Sequence, residues 1–233
     1  MALASAVAIL KRTAARAALV NIDKPTTNIL RDCFRQFGID TSSVHTNDAV
    51  RFQREKVDAC VVDLNDRAEE FLTCIRNSPS NRRAVVFGLC NNPAEAVPYS
   101  KFGINVLLER PIDRLNVLRS VKSTHLLIIN EFRRYVRIPI VAEMHAMVGM
   151  DRLVGSTIEV SAGGMSLRYK GKLAMNSEVQ VCFDLPRAPG LKLKGQVIWL
   201  RELESTAGIR FEIDQPSREA VKKWIDQYLD TSS

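Results

Sequence analysis

From Arg16 to about Thr124 the chain alternates short apolar runs with amphipathic stretches. Ala17–Ile22 reads as a buried strand ending at Asp23, and Pro25 opens the next segment. Ile29, Leu30, Cys33, Phe34 and Phe37 recur at helical spacing over Thr26–Phe37, and Gly38 stops that helix. Further buried strands are predicted over Asp58–Asp63, Ala84–Gly88 and Asn105–Leu108. Helices are predicted over Arg67–Arg76 and from Asp113 to about Asn130. Strands alternating with helices predict a parallel sheet with crossover helices.

The pattern changes after Val136. Short alternating runs occupy Arg137–Ala142, Thr157–Val160, Gly164–Tyr169, Glu178–Leu185, Leu191–Leu200 and Gly208–Ile213, punctuated by Gly163–Gly164, Pro186, Pro189–Gly190 and Gly208. Strands at this spacing predict a small antiparallel barrel. A closing helix is expected over Ser217–Leu229, with Val221, Trp224, Ile225 and Tyr228 on one stripe and Ser217 as its N-cap. The division between the two textures falls near residues 127–132. It predicts a tail over 1–15, a first domain over 16–126 and a second over 127–233.

The length of 233 residues suits two such domains, and 46% hydrophobic with 25% charged residues is ordinary globular composition. A net charge of +7 favours an anionic partner. Aromatics are only 6% and no lysine–arginine block is interleaved with them, so a single-strand stacking platform has little support. No run reaches the roughly 18 apolar residues of a membrane span. Positive charges follow the apolar start Met1–Leu10 rather than precede it, so a cytoplasmic protein is expected. The cysteines at 33, 60, 74, 90 and 182 form no CxxC pair, and His45, His125 and His145 have no ligand spacing. No disulfide framework, bound metal or nucleophile–base pair is therefore expected. Trp199, Phe211 and Trp224 read as core residues. Met144, Met147 and Met150, recurring every third residue, read as gap-fillers in the first barrel turns.

The order strand–Asp23, strand–Asp63, strand–Gly88, strand–Arg110–Pro111 resembles the receiver domain of bacterial response regulators. The resemblance makes Asp63 the counterpart of the phosphorylated aspartate and Asp23 one of two acidic residues that hold Mg²⁺. The other acidic position is Ile22, the hydroxyl position is Gly88 or Leu89, and the lysine position is Arg110. A hard cation needs anionic oxygens, and arginine is a planar fork where lysine is a compact charge. A vestigial, unphosphorylated receiver is expected, acting in dimerisation or as a surface for a protein partner.

Glu131-Phe132-Arg133-Arg134-Tyr135-Val136-Arg137, followed by Glu159-Val160-Ser161-Ala162-Gly163-Gly164, resembles the RxxxR and [D/N]xSxxG segments of the PilZ domain, a receptor for cyclic-di-GMP. Arg133 and Arg137, four apart, are expected to share a face. The resemblance implies that Arg133 and Arg137 clamp phosphate and guanine with Arg134 as helper, that Ser161 and Gly164 line the opposite wall, and that position 159 accepts from a guanine N–H. Guanidinium groups suit both phosphate and the guanine edge. Glu159 stands where the family has Asp or Asn. The expected architecture is a receiver-like parallel α/β sandwich followed by a six-stranded antiparallel PilZ β-barrel with a C-terminal helix. The expected function is a non-enzymatic receptor for cyclic-di-GMP, without direct nucleic-acid binding or membrane insertion. The alternative is an adaptor whose barrel has lost the nucleotide, with Arg133 and Arg137 paired to local acids such as Glu131.

Overall fold

A computed structural model of the protein describes residues 14–45, 55–65 and 67–230. The expected tail lies outside the described residues as far as Thr13, and Ala15 already opens the first strand. Two compact units divide between Phe132 and Arg133.

The first unit contains β1 (Ala15–Val20), α1 (Lys24–Arg35), β2 (Ile39–Val44), β3 (Ala59–Asp63), α2 (Ala68–Asn77), β4 (Val85–Cys90), a 3₁₀ segment (Pro93–Phe102), β5 (Val106–Glu109) and most of α3 (Arg114–Tyr135). All sheet pairings are parallel, in the order β2-β1-β3-β4-β5, a doubly wound arrangement. The apolar runs are strands because both faces of the sheet are covered, which leaves no polar alternation to read. Phe34 of α1 meets Phe87 of β4 edge to face at 5.4 Å, both without exposed surface. Strand β2 was not legible in the sequence, since Ile-Asp-Thr-Ser-Ser-Val has no apolar run. Its pairing with β1, from Ala15 beside Ile39 to Val20 beside Val44, makes it a strand.

Helix α3 runs five residues beyond its expected end near Asn130, because no breaker precedes Pro139 and the buried stripe Val121, Thr124, Ile128 continues into Glu131 and Phe132. Burying Glu131 there requires a partner, and Lys56 supplies it at 2.9 Å while also lying 3.5 Å from the buried Asp58.

The second unit follows with β6 (Ile138–Pro139), β7 (Glu143–Val148), β8 (Asp151–Ser161), β9 (Gly164–Lys170), β10 (Glu178–Leu185), β11 (Ala188–Arg201), β12 (Thr206–Phe211) and α4 (Pro216–Asp230). The antiparallel order β6-β8-β7-β10-β11-β12-β9 closes through a β8–β9 pairing, giving a six-stranded barrel with β6 as a short addition. Val160, Leu167, Val181, Leu193, Val197 and Ile209 fill its interior, and α4 packs Val221, Trp224 and Ile225 against it.

Several expectations are corrected here. The strand expected over Arg137–Ala142 is reduced to Ile138–Pro139, since proline cannot continue a hydrogen-bonded ladder. Helix α4 begins at Pro216, which is pre-shaped for a first turn, so Ser217 lies inside the helix rather than at its cap. Pro189–Gly190 falls within β11 rather than before it. The three methionines share no role: Met144 is buried in β7, whereas Met150 is fully exposed in the β7–β8 turn. No helix among the described residues is long and apolar enough to cross a membrane.

Phe87→Ala should cost the first unit about 3–5 kcal/mol through lost burial and an unfilled cavity. Urea denaturation of the full chain followed by circular dichroism should show an earlier transition for that unit.

Candidate functional site

Two one-residue bulges shape the outer face of the barrel. In β8 the register against β9 passes from Thr157 beside Leu167 to Glu159 beside Ser166, leaving Ile158 as the extra residue. In β11 the register against β12 passes from Val197 beside Ile209 to Trp199 beside Gly208, leaving Ile198 extra. Thr157, Leu167, Val197 and Ile209 face inward and are buried. Strand side chains alternate, so each bulge sends the next residue outward instead. Gly208 pairs with Ser166. The result is a transverse outer row across four strands: Glu159, Ser166, Gly208, Trp199. The neighbouring outer row is Ser161, Gly164, Arg210, Gln196.

A glycine stands in each row for a steric reason. A Cβ at Gly208 would lie 2.0 Å from Trp199 Nε1, and one at Gly164 would lie 2.2 Å from the Ile209 carbonyl oxygen. The trough this leaves is a cavity of about 240 Å³, lined by Arg134, Arg137, Glu159, Ser161, Trp199 and Arg210 among others. Arg137 donates to Glu159 Oε1 at 2.9 Å. Glu159 is 8% exposed, whereas the Arg137 side chain remains 63% exposed, so the guanidinium keeps donors facing solvent. The Ser161 hydroxyl donates to the Gly164 carbonyl at 2.9 Å, bracing the β8–β9 turn. The Ile158 carbonyl accepts from Ile140 N at 3.1 Å, so the β8 bulge leaves that oxygen bonded.

Five of the six residues singled out in this half therefore meet at one cavity: Arg134, Arg137, Glu159, Ser161 and Gly164. Arg133 does not share a face with Arg137, because the helix ends at Tyr135 and the four-residue spacing crosses that end. It turns to α4, with Asp226 at 3.4 Å and Asp230 at 3.0 Å. Trp199 is not a core residue as expected. It is half-buried over Gly208, with the Arg201 guanidinium 5.6 Å from its ring, while Phe211 and Trp224 are buried. The signal that was available is the unbroken run Val197-Ile198-Trp199, where alternation fails at the bulge. Arg210 was legible as an outward position of β12, alternating with buried Ile209 and Phe211.

In the first unit Asp63 lies at the end of β3 and is bonded to Arg110 at 3.0 Å. The β4 residue paired with it is Leu89, fully buried and without a hydroxyl. Asp23 caps α1, its Oδ1 accepting from Thr26 N at 2.9 Å; that backbone hydrogen bond is the main reason its pKa lies below the usual aspartate value. One carboxylate is thus held by a guanidinium and the other by a helix N-terminus. Among the described residues no three His, Cys, Asp or Glu side chains cluster as metal ligands.

Residues 131–230 match the model of the PilZ domain family. Similar solved structures include the chemotaxis response regulator CheY4 of Vibrio cholerae, at 14% identity over 47% of this chain and 98% of that one (TM-score 0.43). The receiver domain of the sensor histidine kinase PA1611 of Pseudomonas aeruginosa is 22% identical over 47% of this chain and 97% of that one (TM-score 0.40). The PilZ domain of CeSA from a cellulose-synthesizing bacterium is 20% identical over 40% of this chain and 97% of that one (TM-score 0.33). No curated protein matches the chain.

Gly208→Ala should push the Trp199 indole off the barrel wall, since the new methyl needs the space the ring occupies. Tryptophan emission should shift to the red, with the buried Trp224 contribution unchanged. An unshifted spectrum would show that the ring does not rest on Gly208.

Proposed function

Residues 131–230 form a PilZ domain, and on that premise we propose that the chain is a non-enzymatic, cytoplasmic receptor for cyclic-di-GMP. The observation that carries the reading is the convergence of Arg134 and Arg137 on one outer-face cavity with Glu159, Ser161 and Trp199. Arginine forks satisfy phosphate oxygens and the O6/N7 edge of guanine, a carboxylate accepts from guanine N–H groups, and an indole face stacks on a base. A cavity of about 240 Å³ takes part of such a ligand, with the rest lying over the open outer face. Glu159 serves twice here: it orients Arg137 before the ligand arrives and presents a carboxylate to the base. The family role of Arg133 requires it to leave Asp226 and Asp230.

The domain division expected from the sequence, 16–126 and 127–233, is retained as part of this proposal. The receiver-like domain serves as a dimerisation or partner surface and is not phosphorylated. Arg110 already occupies Asp63, Asp23 is engaged as a helix cap, and Leu89 offers no hydroxyl to a phosphoryl oxygen. The competing reading is an adaptor that has lost the nucleotide, favoured by the ion pairs that engage Arg133 and Arg137.

Calorimetric titration of the full chain with cyclic-di-GMP separates the two readings. Arg137→Ala should lower affinity roughly 10- to 150-fold, the loss of charge-assisted hydrogen bonds worth about 1.5–3 kcal/mol. Glu159→Asp should hold or tighten binding, and Glu159→Ala should weaken it by about 1–3 kcal/mol. No heat of binding to the parent protein would favour the adaptor.

Incubation with acetyl phosphate and Mg²⁺ should leave the intact mass unchanged. A stoichiometric phosphoryl adduct that disappears in Asp63→Asn would overturn the vestigial-receiver reading.

A further inference from the structure

The barrel carries a second, larger groove of about 850 Å³ on the outer face of β9-β8-β7-β10-β11, which the reading above leaves unused. The registers place Lys170, Val154, His145, Cys182 and Lys192 in one outer row across these five strands. Arg168 and Ser156 adjoin that row on one side, and Arg152 beside Met147 on the other. Basic groups therefore stand on both walls, Arg168 and Lys170 on β9 and Lys192 on β11, roughly 19 Å apart at the usual strand spacing. Between them the floor holds Val154, which is 50% exposed, the exposed imidazole of His145 and the half-buried Cys182. The side chains of Arg152, Arg168, Lys170 and Lys192 make no ion pair or hydrogen bond among the described residues. Four exposed cations face two carboxylates, Glu143 and Asp184, in one concavity, so its balance of charge is positive and favours an anionic partner.

We propose that this groove docks an acidic amphipathic helix of a partner protein. A helix is about 10–12 Å across with its side chains, so one lying between the walls sets an apolar stripe on Val154, Met147 and Cys182. Glutamates or aspartates on its two flanks then reach Arg168, Lys170 and Lys192. Two features disfavour nucleic acid. No Phe, Tyr or Trp side chain projects from these outer rows to stack on a base. Glu143 and Asp184, at adjacent outer positions of β7 and β10, make one end of the groove negative. A uniformly charged phosphate chain is repelled there, whereas a peptide can place a lysine or its N-terminus. The barrel is closed, so the partner docks on the sheet face rather than extending an edge.

The probe is a fluorescein-labelled helical peptide of about 18 residues with leucines at i, i+3, i+4 and i+7 and glutamates on both flanks, titrated into the full chain by anisotropy. Binding is expected, and a peptide of the same composition with the leucine stripe scrambled should bind about tenfold more weakly or worse. Lys170→Glu with Lys192→Glu should lower affinity for the acidic peptide about tenfold or more and create affinity for the same peptide with lysines on its flanks. That reversal also shows that the variant is folded. Val154→Asp should weaken both pairings. Lys222→Glu with Lys223→Glu, an equal charge change on α4, should leave binding unchanged. Absence of binding, equal binding of the scrambled peptide, or equal loss in the α4 variant would each overturn the proposal. So would tighter, competing binding of a 5′-labelled single-stranded oligonucleotide. Cyclic-di-GMP affinity of the Lys170→Glu, Lys192→Glu protein, measured alongside, keeps failure of this groove distinct from failure of the nucleotide site.

Discussion

The closing ladder between β8 and β9 is the constraint on which the second unit depends. Without it the sheet would end in two long unpaired edges, and Glu159, Ser166, Gly208 and Trp199 would not form one transverse row. With it, backbone pairing fixes which side chain stands beside which, and small residues keep the row shallow. Gly208 admits the indole and Gly164 admits the Ile209 carbonyl. The outer-face cavity is thus a product of hydrogen-bond register as much as of side-chain identity.

The closed barrel also explains how arginines are distributed. Two beside the outer-face cavity take a carboxylate counterpart from a different element: Arg137 from Glu159 of β8, Arg133 from Asp226 and Asp230 of α4. In the first unit Arg110 meets Asp63, and Lys56 meets Glu131. The exposed pairs among these contribute little to stability, whereas Lys56 satisfies a charge buried at Glu131. They hold side chains in defined directions, so that where a guanidinium points is decided by which acid lies within reach.

Most of the architecture was legible because it follows from periodicity. Buried parallel strands such as Val61–Val62 and Val85–Phe87 announce themselves as apolar runs, and Glu178–Leu185 alternates without interruption along the observed strand. The parts that escaped have physical reasons. Strand β2 is polar and becomes a strand only through its neighbour. Helix α3 continues past Asn130 because a distant lysine makes Glu131 tolerable in a buried stripe. Alternation alone places Trp199 in the core because it cannot register a bulge, and spacing alone places Arg133 beside Arg137 because it does not reveal where the helix stops. Five of the six motif residues line one cavity, and the direction of each side chain is set by pairing and by chain ends.

The bulges at Ile158 and Ile198 give this surface an unusual genetic asymmetry. Each is a single surplus residue, so removing that codon would restore strict alternation with Thr157 still inward and Glu159 outward, or with Val197 inward and Trp199 outward. The β9–β12 ladder between them runs without a register shift, so a one-codon deletion in either of those strands would turn every position beyond it to the opposite face. A change of length is therefore absorbed at the bulges and disruptive in the strands that face them.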